Sequence, residues 1–510
     1  MNILIINGQN VTSWTTGLEG LSISFVLNNS DRTTSYSASG LFTVGGSGYN
    51  LLKNLITNIN LSYEAVLKLE GVGDLAFVIN ARNVRDCGCE AEIIIQSDPD
   101  DLRKYQKLTD TIVSDDINQL FESGFLSRIP YCNEPNFITY VLLSLYLVFR
   151  ALIDFIVFVV SIWDDDVTFE SFRNFVVGCA RFHWSFNVNR TARYYSEKAG
   201  LNWSSTILAN DFPDLNLLDG YGYEGEQRRF LNINQAPGII INYTIPQILR
   251  ELSHVFNADY RVINGTLHFQ RKDWFPANAR QIVGKLSEEF CVEVDPSQLN
   301  TNIKFQWATD VMDETSNIVT PTYSGRVDHN PLESPVLRGT RTITPRIAVS
   351  RFVNDRWGDG FIRKFRNSEL FGSSVQDDLI LSNGQTLELR ILDIQNSGGP
   401  YRYAKKIGFT PGPRLYQERL LFTKYQPDVN VSDIGLYANY WDIENPNTHP
   451  RFYAATIKIE VSDVCQTIED IQSFNLNVYF QTEYGRALPE EIEYDQETSI
   501  FTLKNCTIWP

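Results

Sequence analysis

Short motifs that mark common active sites are missing from this sequence. It contains no GxSxG, no GxxxxGK[ST] and no HExxH, which excludes the usual hydrolase, P-loop and zinc-protease signatures. The stretch 220–225 is rich in glycine, but no helix clearly follows it, and we interpret it as a flexible loop. We therefore predict no catalytic residue, no cofactor and no enzyme activity.

Positive charge is also scarce. The 510 residues carry a formal net charge of −17, and no basic patch stands out. Phosphate binding needs clustered Lys and Arg, so we expect no direct nucleic-acid recognition. The opening MNILIINGQN has no basic region followed by an apolar run, so we expect no secretory signal.

The chain has seven cysteines, which is an odd number and a low density. This usage indicates synthesis in a reducing compartment, rather than a disulfide scaffold. Cys87 and Cys89 form the only close pair, and the CxxC…CxxC spacing of structural zinc sites is absent. We interpret the pair as thiols on a turn between strands and predict no metal site.

The most conspicuous feature that is present is an apolar stretch that begins at Phe137 and ends at Trp163. Of its 27 residues, 22 are apolar or aromatic, whereas the chain as a whole is 43% hydrophobic. As a single α-helix it would be roughly 40 Å long, which is enough to cross a bilayer.

Apart from Ser144, the few polar residues of this stretch share one side of the predicted helix. At about 100° per residue, five of them fall within roughly 40° of one line. We call this line the polar seam, and it consists of Thr139, Tyr146, Arg150, Asp154 and Ser161. Arg150 and Asp154 are four residues apart and therefore face the same way.

Three arrangements would cover such a surface. The first is a transmembrane anchor, although the flanking residues, with Asp164, Asp165 and Asp166 after the stretch, provide no cluster of Lys or Arg to fix an orientation. The second is a homo-oligomer in which copies of the helix pack with their seams turned inward. The third is a helix or helical hairpin buried by the rest of its own subunit. The sequence leaves all three open.

Hydrophobic patterning divides the chain into four regions. Residues 1–110 form a predicted N-terminal β domain, with strands at 21–27, 61–71, 74–81 and 90–97 and one helix at 49–59. Residues 111–200 form a helical segment that contains the apolar helix and a second helix predicted at 168–186. Residues 201–280 form a small α/β module, and residues 281–510 a β-rich C-terminal region.

The predicted fold class is therefore α+β and mostly β, with several sandwich-like or barrel-like domains and a central, long apolar helical hairpin. Within the α/β module, TIPQILRELSHVF (244–256) is an amphipathic helix with Thr244 as its N-cap. Two alternating strands follow and are separated by Asn264 and Gly265, which is the strongest short-range signal for a type I′ hairpin.

The segment TIPQILRELSHVFNADYRVINGTLHFQ (244–270) resembles one that is common in phage tail-tip and baseplate-hub proteins. There an amphipathic helix precedes a strand pair joined by Asn-Gly or Asp-Gly. The stretches 74–101 and 491–505 are similar to parts of the same group, especially in phages that infect Bacteroidetes. The apolar helix departs from the usual pattern of these proteins.

The resemblance implies a virion structural protein that forms a ring at the distal end of a phage tail. Its implied partners are further copies of itself, other tail proteins and, transiently, the host membrane. In that ring the polar seams would lie near the axis, and the ring would close the tail before infection. The alternative is a β module that binds a glycan or receptor on a virion or cell surface. An enzyme with an unrecognised site and a membrane-anchored bacterial protein also remain open.

Overall fold

A computed structural model gives the fold of most of the chain. It describes residues 2–18, 21–27, 34–39, 42–70, 73–88, 90–93, 100–116, 119–120, 123, 126–130, 182–213, 215–218, 243–299, 302–308, 324–329, 339–349, 390–393, 422 and 435–510. The described residues form several β-sheets with a smaller helical contribution, so the prediction of a mostly β protein is confirmed. The predicted apolar helical hairpin lies outside the described residues.

The largest sheet joins the two ends of the chain. Its centre is the strand Ile500–Trp509, which pairs along its length with Phe452–Val461 on one side. On its other side Ile500–Trp509 pairs with Glu491–Asp495, and that strand pairs in turn with Ser22–Leu27. An N-terminal strand is therefore part of a sheet made mostly of C-terminal strands. The ten strands are Ser22–Leu27, Thr34–Ser39, Arg280–Ile282, Gly284–Leu286, Glu293–Val294, Phe452–Val461, Val478–Thr482, Gly485–Leu488, Glu491–Asp495 and Ile500–Trp509.

Two four-stranded sheets complete this part of the protein. One has the order Gln9–Asn10, Ile3–Ile6, Ser62–Leu69, Gly73–Asn80, and the other has the order Thr15–Thr16, Phe42–Val44, Ala91–Ile93, Val84–Asp86. The helix Gly46–Thr57 buries Leu52 and Leu55, as its apolar spacing predicts. The helix Val464–Ser473 begins at Asp463, whose side chain accepts a hydrogen bond from the backbone of Gln466. A 3₁₀ turn covers Thr12–Trp14.

We call these elements the terminal module because they share one hydrophobic core. Side chains from both ends of the chain are fully buried in it, among them Ile6, Phe25, Phe77, Ile457 and Leu503. Burial of apolar surface therefore holds residues that are far apart in sequence in one unit. The four predicted regions and their boundaries stay predictions.

A second hydrophobic core lies in the middle of the chain, and we call the elements around it the middle module. It contains a three-stranded sheet in the order Asn202–Ser204, Thr266–Arg271, Ala258–Ile263 and a second one in the order Gly325–Asp328, Asn302–Phe305, Thr340–Ile343. A five-stranded sheet has the order Leu126–Pro130, Phe182–Asn187, Leu215–Leu218, Arg390–Asp393, Ala348–Val349. The α-helices are Asp100–Asp110, Val188–Ala199, Ile245–Phe256 and Trp274–Ala277.

Several short helical turns connect these elements. Two of them are π-helical, Ile207–Asp211 and Tyr437–Trp441, and three are 3₁₀ turns, Val113–Asp116, Pro296–Gln298 and Asp442–Glu444. π-Helical turns are rare and occur frequently at functional sites. Both π turns pack beside the end of the helix Ile245–Phe256, where Tyr440 contacts Phe212 and Phe256.

The prediction of a helix over 168–186 is wrong for its last residues. The strand Phe182–Asn187 pairs with Leu126–Pro130 on one side and with Leu215–Leu218 on the other. In FHWSF the aromatic residues alternate with other residues, and this period of two favours a strand that is hydrogen-bonded along both edges. Residues 168–181 lie outside the described part.

The next helix, Val188–Ala199, was missed by the sequence analysis although its ends carry clear signals. The Asn187 side chain caps its first turn by accepting a hydrogen bond from the Arg190 backbone. Gly200 ends it with a left-handed backbone at φ 88°. Asn before a helix and Gly after it are common end signals, since each satisfies backbone groups that the helix leaves unpaired.

Candidate functional site

The helix and Asn-Gly hairpin at 244–271 form as the sequence predicts. Thr244 and Gln247 make a reciprocal capping box at the start of the helix Ile245–Phe256. Asn257 ends the helix with a left-handed backbone at φ 43° and leads into the strand Ala258–Ile263. Asn264 and Gly265 both have positive φ, 49° and 70°, which is the geometry of a type I′ turn. Both predictions are confirmed.

The open end of the hairpin, opposite its turn, holds the π turn Tyr437–Trp441. The Asn257 side chain donates a hydrogen bond to the Tyr440 carbonyl at 3.1 Å. The Trp441 indole N–H donates to the Val255 carbonyl at 3.0 Å, which satisfies one of the carbonyls that the helix end leaves unpaired. Tyr440 also donates to Asp211 Oδ2 at 2.8 Å. These bonds fix the chain just before Glu444.

Glu444 is the centre of a buried group of charges at this end of the hairpin. Its side chain is 3% exposed, and its Oε2 lies 2.7 Å from an Nη atom of Arg451, which is 6% exposed. Arg341 Nη1 lies 3.3 Å from the same oxygen, and Lys272 Nζ lies 3.6 Å from Oε1. Asp295 Oδ2 lies 3.4 Å from Arg451 Nε. We call these five residues the Glu444 cluster.

The cluster joins the two modules. Lys272 follows the hairpin strand Thr266–Arg271, and Arg341 lies in the strand Thr340–Ile343, so both belong to the middle module. Arg451 precedes the strand Phe452–Val461 of the terminal module, and its guanidinium lies 4.9 Å from the centre of the Trp509 ring. A cation over an indole face gains electrostatic attraction as well as packing.

Electrostatics keep Glu444 ionised. Burial by itself would raise the pKa of Glu444, but the charges of Lys272, Arg451 and Arg341 outweigh it and hold the pKa well below its usual range. Burial lowers the pKa of Lys272, and the charge of Glu444 opposes that change. A carboxylate that stays ionised at neutral pH cannot act as a general acid, and its buried oxygens are already engaged. The chemistry that this arrangement supports is attachment.

The turn of the hairpin contacts the terminal module at a second place. The Asn264 backbone N–H donates to the Ser473 carbonyl at 3.0 Å. Beside it, the Arg261 guanidinium lies 5.1 Å from the centre of the Phe275 ring, and the Phe275 carbonyl accepts a hydrogen bond from the Asn477 side chain at 3.3 Å. The turn of the hairpin therefore contacts the terminal module directly, and its open end reaches that module through Glu444 and Arg451.

The polar seam cannot be placed on this framework, because Thr139, Tyr146, Arg150, Asp154 and Ser161 lie outside the described residues. The structure does describe the two strands that flank the stretch. Leu126–Pro130 and Phe182–Asn187 pair antiparallel, and Pro130 lies opposite Phe182. Facing residues of an antiparallel pair have their Cα atoms roughly 5 Å apart. The chain therefore enters segment 131–181 at Pro130 and leaves it at Phe182, and these two residues are adjacent in the sheet.

Other sequence features have simple positions. Cys87 is an exposed free thiol in the turn between Val84–Asp86 and Ala91–Ile93, as predicted, whereas Cys89 is outside the described residues. In the part of the chain that the structure covers, no group of three His, Cys, Asp or Glu is arranged to hold a metal ion. Among the described helices, none is both long and apolar enough to span a bilayer.

Sequence reasoning missed the Glu444 cluster. Its five members come from four separate segments, because Glu444 and Arg451 share one, and no period in the sequence connects the four. The local sequence WDIENPNTHPRF (441–452) gives a weak signal, because an acidic and a basic residue flank a turn rich in Asn and Pro between apolar segments. Only the packing of the two modules shows that these charges meet.

Comparison with known proteins gives no family and some loosely similar structures. No protein-family model matches the chain, and no curated protein matches it. Among solved structures it is similar to the 43 kDa tail protein of prophage MuSo2 from Shewanella oneidensis, at 9% identity and a TM-score of 0.34 over 99% of this chain and 97% of that chain.

Two further structures are similar at the same level. Prophage tail protein gp18 from Listeria monocytogenes EGD-e matches at 9% identity and a TM-score of 0.33, over 99% of this chain and 94% of that one. A tail protein from Neisseria meningitidis MC58 matches at 9% identity and a TM-score of 0.32, over 100% and 96%. TM-scores this low reflect only a loosely shared chain path.

Proposed function

We propose that this protein is a structural component of a phage tail tip or hub, present in the virion as a ring that closes the tail and contacts the host envelope during infection. The observation that carries the proposal is the helix and Asn-Gly hairpin at 244–270. This segment resembles one of tail-tip and hub proteins. Here its turn bonds to Ser473 of the terminal module, and Lys272, just after it, contacts Glu444, which pairs with Arg451 of that module. A protein whose modules are held in a fixed arrangement is suited to a structural role in a larger assembly.

The two paired strands that flank the apolar stretch limit the ways in which it could contact a membrane. A bilayer core is about 30 Å thick, so a segment that crosses it once has its two ends on opposite sides. Pro130 and Phe182 face each other in one ladder, so segment 131–181 begins and ends on the same side of any membrane. The flanking strands therefore count against a single-pass anchor. Association with copies of itself, burial in its own subunit and insertion as a doubled-back segment all remain consistent.

In the ring, we propose that neighbouring copies pack their apolar stretches together with the polar seams inward. Arg150 and Asp154 of neighbouring copies then pair, because an unpaired charge in such an interface would cost several kcal/mol. Host-envelope contact would follow when the ring opens and exposes the apolar surface. Partners are further copies of this chain and other tail proteins.

Light scattering coupled to size-exclusion chromatography tests the ring, with Arg150→Leu, Asp154→Leu and the double variant as probes. We expect a defined oligomer of the unmodified protein. Each single variant should disrupt the oligomer more than the double variant does, since each leaves one buried charge without its partner. A monomer of the unmodified chain would contradict the ring, and a monomer that binds glycans on an array would favour the receptor-binding alternative. Equal effects of all three variants would contradict the paired seam.

A further inference from the structure

The hairpin touches the terminal module at two separated places. Its turn, at Asn264, contacts Ser473, and its open end, at Lys272, reaches the Glu444 cluster. Each strand of the hairpin has six residues, which corresponds to roughly 20 Å between these places. A body attached at one place can turn about it, whereas a body attached at two places this far apart cannot.

Among the described residues, one buried ion pair crosses between the modules at the open end, in addition to hydrogen bonds from Asn477 to the Phe275 and Asn278 carbonyls and from Arg486 to the Pro276 carbonyl. Lys272 and Arg341 hold Glu444 within the middle module, at 3.6 and 3.3 Å. On the other side, Trp509 and Asp295 hold Arg451 within the terminal module. The contact between Glu444 and Arg451, at 2.7 Å, is the step that crosses from one set to the other.

We propose that the Glu444–Arg451 pair is a clasp that restricts the orientation of the two modules, and that with the clasp open the middle module moves more freely relative to the terminal module, within the limits set by the contacts at Asn264, Phe275 and Pro276. The pair suits this role because each partner has its own anchors. Opening it leaves Glu444 against two cations and Arg451 against Asp295 and Trp509, so neither charge is stranded in an apolar site. The two modules keep their separate hydrophobic cores in the open state.

Arg451→Met is the sharpest variant, because it removes the bridging cation and leaves Glu444 paired with Lys272 and Arg341. We expect the unmodified protein to give one calorimetric unfolding transition and the variant to give two, one for each module. Small-angle X-ray scattering should show a broader distribution of interatomic distances for the variant at unchanged circular dichroism. Both readouts report coupling between modules rather than the integrity of either one.

Glu444→Gln tests the other partner with a different readout. Arg451 is buried, so trypsin should cut the Arg451–Phe452 bond slowly in the unmodified protein and at least tenfold faster in this variant. The matched control is Glu288→Gln, which removes a carboxylate from a surface pair with Lys458 at 3.0 Å. The control should keep one transition and the original cleavage rate.

Three results would overturn the clasp. One is a single transition and unchanged scattering for Arg451→Met. The second is loss of all cooperative unfolding in both variants, because the pair would then be needed for folding rather than for orientation. The third is equal acceleration of cleavage by Glu444→Gln and by the surface control.

Discussion

Glu444→Gln should destabilise the protein at neutral pH and much less in acid. The substitution keeps the shape of the side chain and removes the charge that faces Lys272, Arg341 and Arg451. Gln still offers an oxygen that accepts one hydrogen bond. The effect therefore measures what the charge contributes, apart from packing.

The magnitude follows from the burial of each pair. Removing one partner of a buried pair such as Glu444–Arg451 costs about 3–5 kcal/mol where the other charge is left without any partner, which sets an upper range here. Glu444 also pairs with Lys272 and Arg341, whose side chains are about a third exposed. Solvent screening therefore limits each of these two pairs to about 0–1 kcal/mol. Asp295 still faces Arg451 in the variant and offsets part of the loss. We therefore expect a loss of about 3 kcal/mol in the free energy of unfolding at pH 7.

The pH dependence gives a second, independent check. Because the pKa of Glu444 is lowered in the folded protein, its contribution is fully present above its ordinary value of 4.5 and is lost as the pH falls below that value. The loss amounts to about 1.4 kcal/mol per pH unit. The difference between the unmodified protein and the variant should therefore shrink from about 3 kcal/mol at pH 7 to about 1 kcal/mol at pH 3.

Urea unfolding followed by tryptophan fluorescence measures both quantities, since Trp441 lies 5.9 Å from Arg341 and reports on this region. Glu288→Gln is again the control, because its pair with Lys458 is exposed and should contribute about 0–1 kcal/mol at neutral pH. A loss below about 1 kcal/mol at pH 7 would refute the assignment of the Glu444–Arg451 pair as a strong buried interaction. A difference that stays constant down to pH 3 would refute the lowered pKa.

Three further predictions concern single residues. Thr244→Ala should cost about 1 kcal/mol in thermal unfolding through loss of the helix cap, and Thr244→Ser should retain most of that stability. Gly485→Ala should prevent soluble expression, because the residue has φ 131° and an added Cβ would lie 2.1 Å from a backbone oxygen, whereas Gly8→Ala, with open space around the added Cβ, should still give soluble protein. Burial raises the pKa of Cys506 to about 12, so iodoacetamide at pH 8 should label exposed Cys87 and leave Cys506 unmodified in the folded protein, as mass spectrometry of digests would show.

Local chemistry made the helix and hairpin at 244–271 predictable. A cap at Thr244 and a turn at Asn264 and Gly265 act through hydrogen bonds and backbone angles of neighbouring residues, and these are present in the sequence. Four strands of the terminal module were also predictable, since apolar alternation reports one buried face. Ser22–Leu27, for example, forms within the predicted range 21–27.

The apolar aromatic run at 182–186 shows where local reasoning fails. Aromatic residues fit a helix or a strand, and the decision depends on whether other strands are available to pair. The strand Leu126–Pro130 supplies one edge and lies at least 52 residues earlier in the sequence. The strand Leu215–Leu218 supplies the other edge and lies at least 29 residues later. A periodicity measured over a few residues cannot predict pairing partners that lie this far away in the sequence.

The sequence by itself determined that the protein is mostly β, where its best helix begins and ends, and that one long apolar stretch needs a cover. Tertiary structure alone decided that Ser22–Leu27 joins a sheet with Glu491–Asp495 and that Glu444 meets three cations. The physical reason is the sequence distance over which each kind of interaction acts. Caps and turns are settled within a few residues, whereas strand edges and buried charges find their partners only when distant segments are brought together by burial of apolar surface.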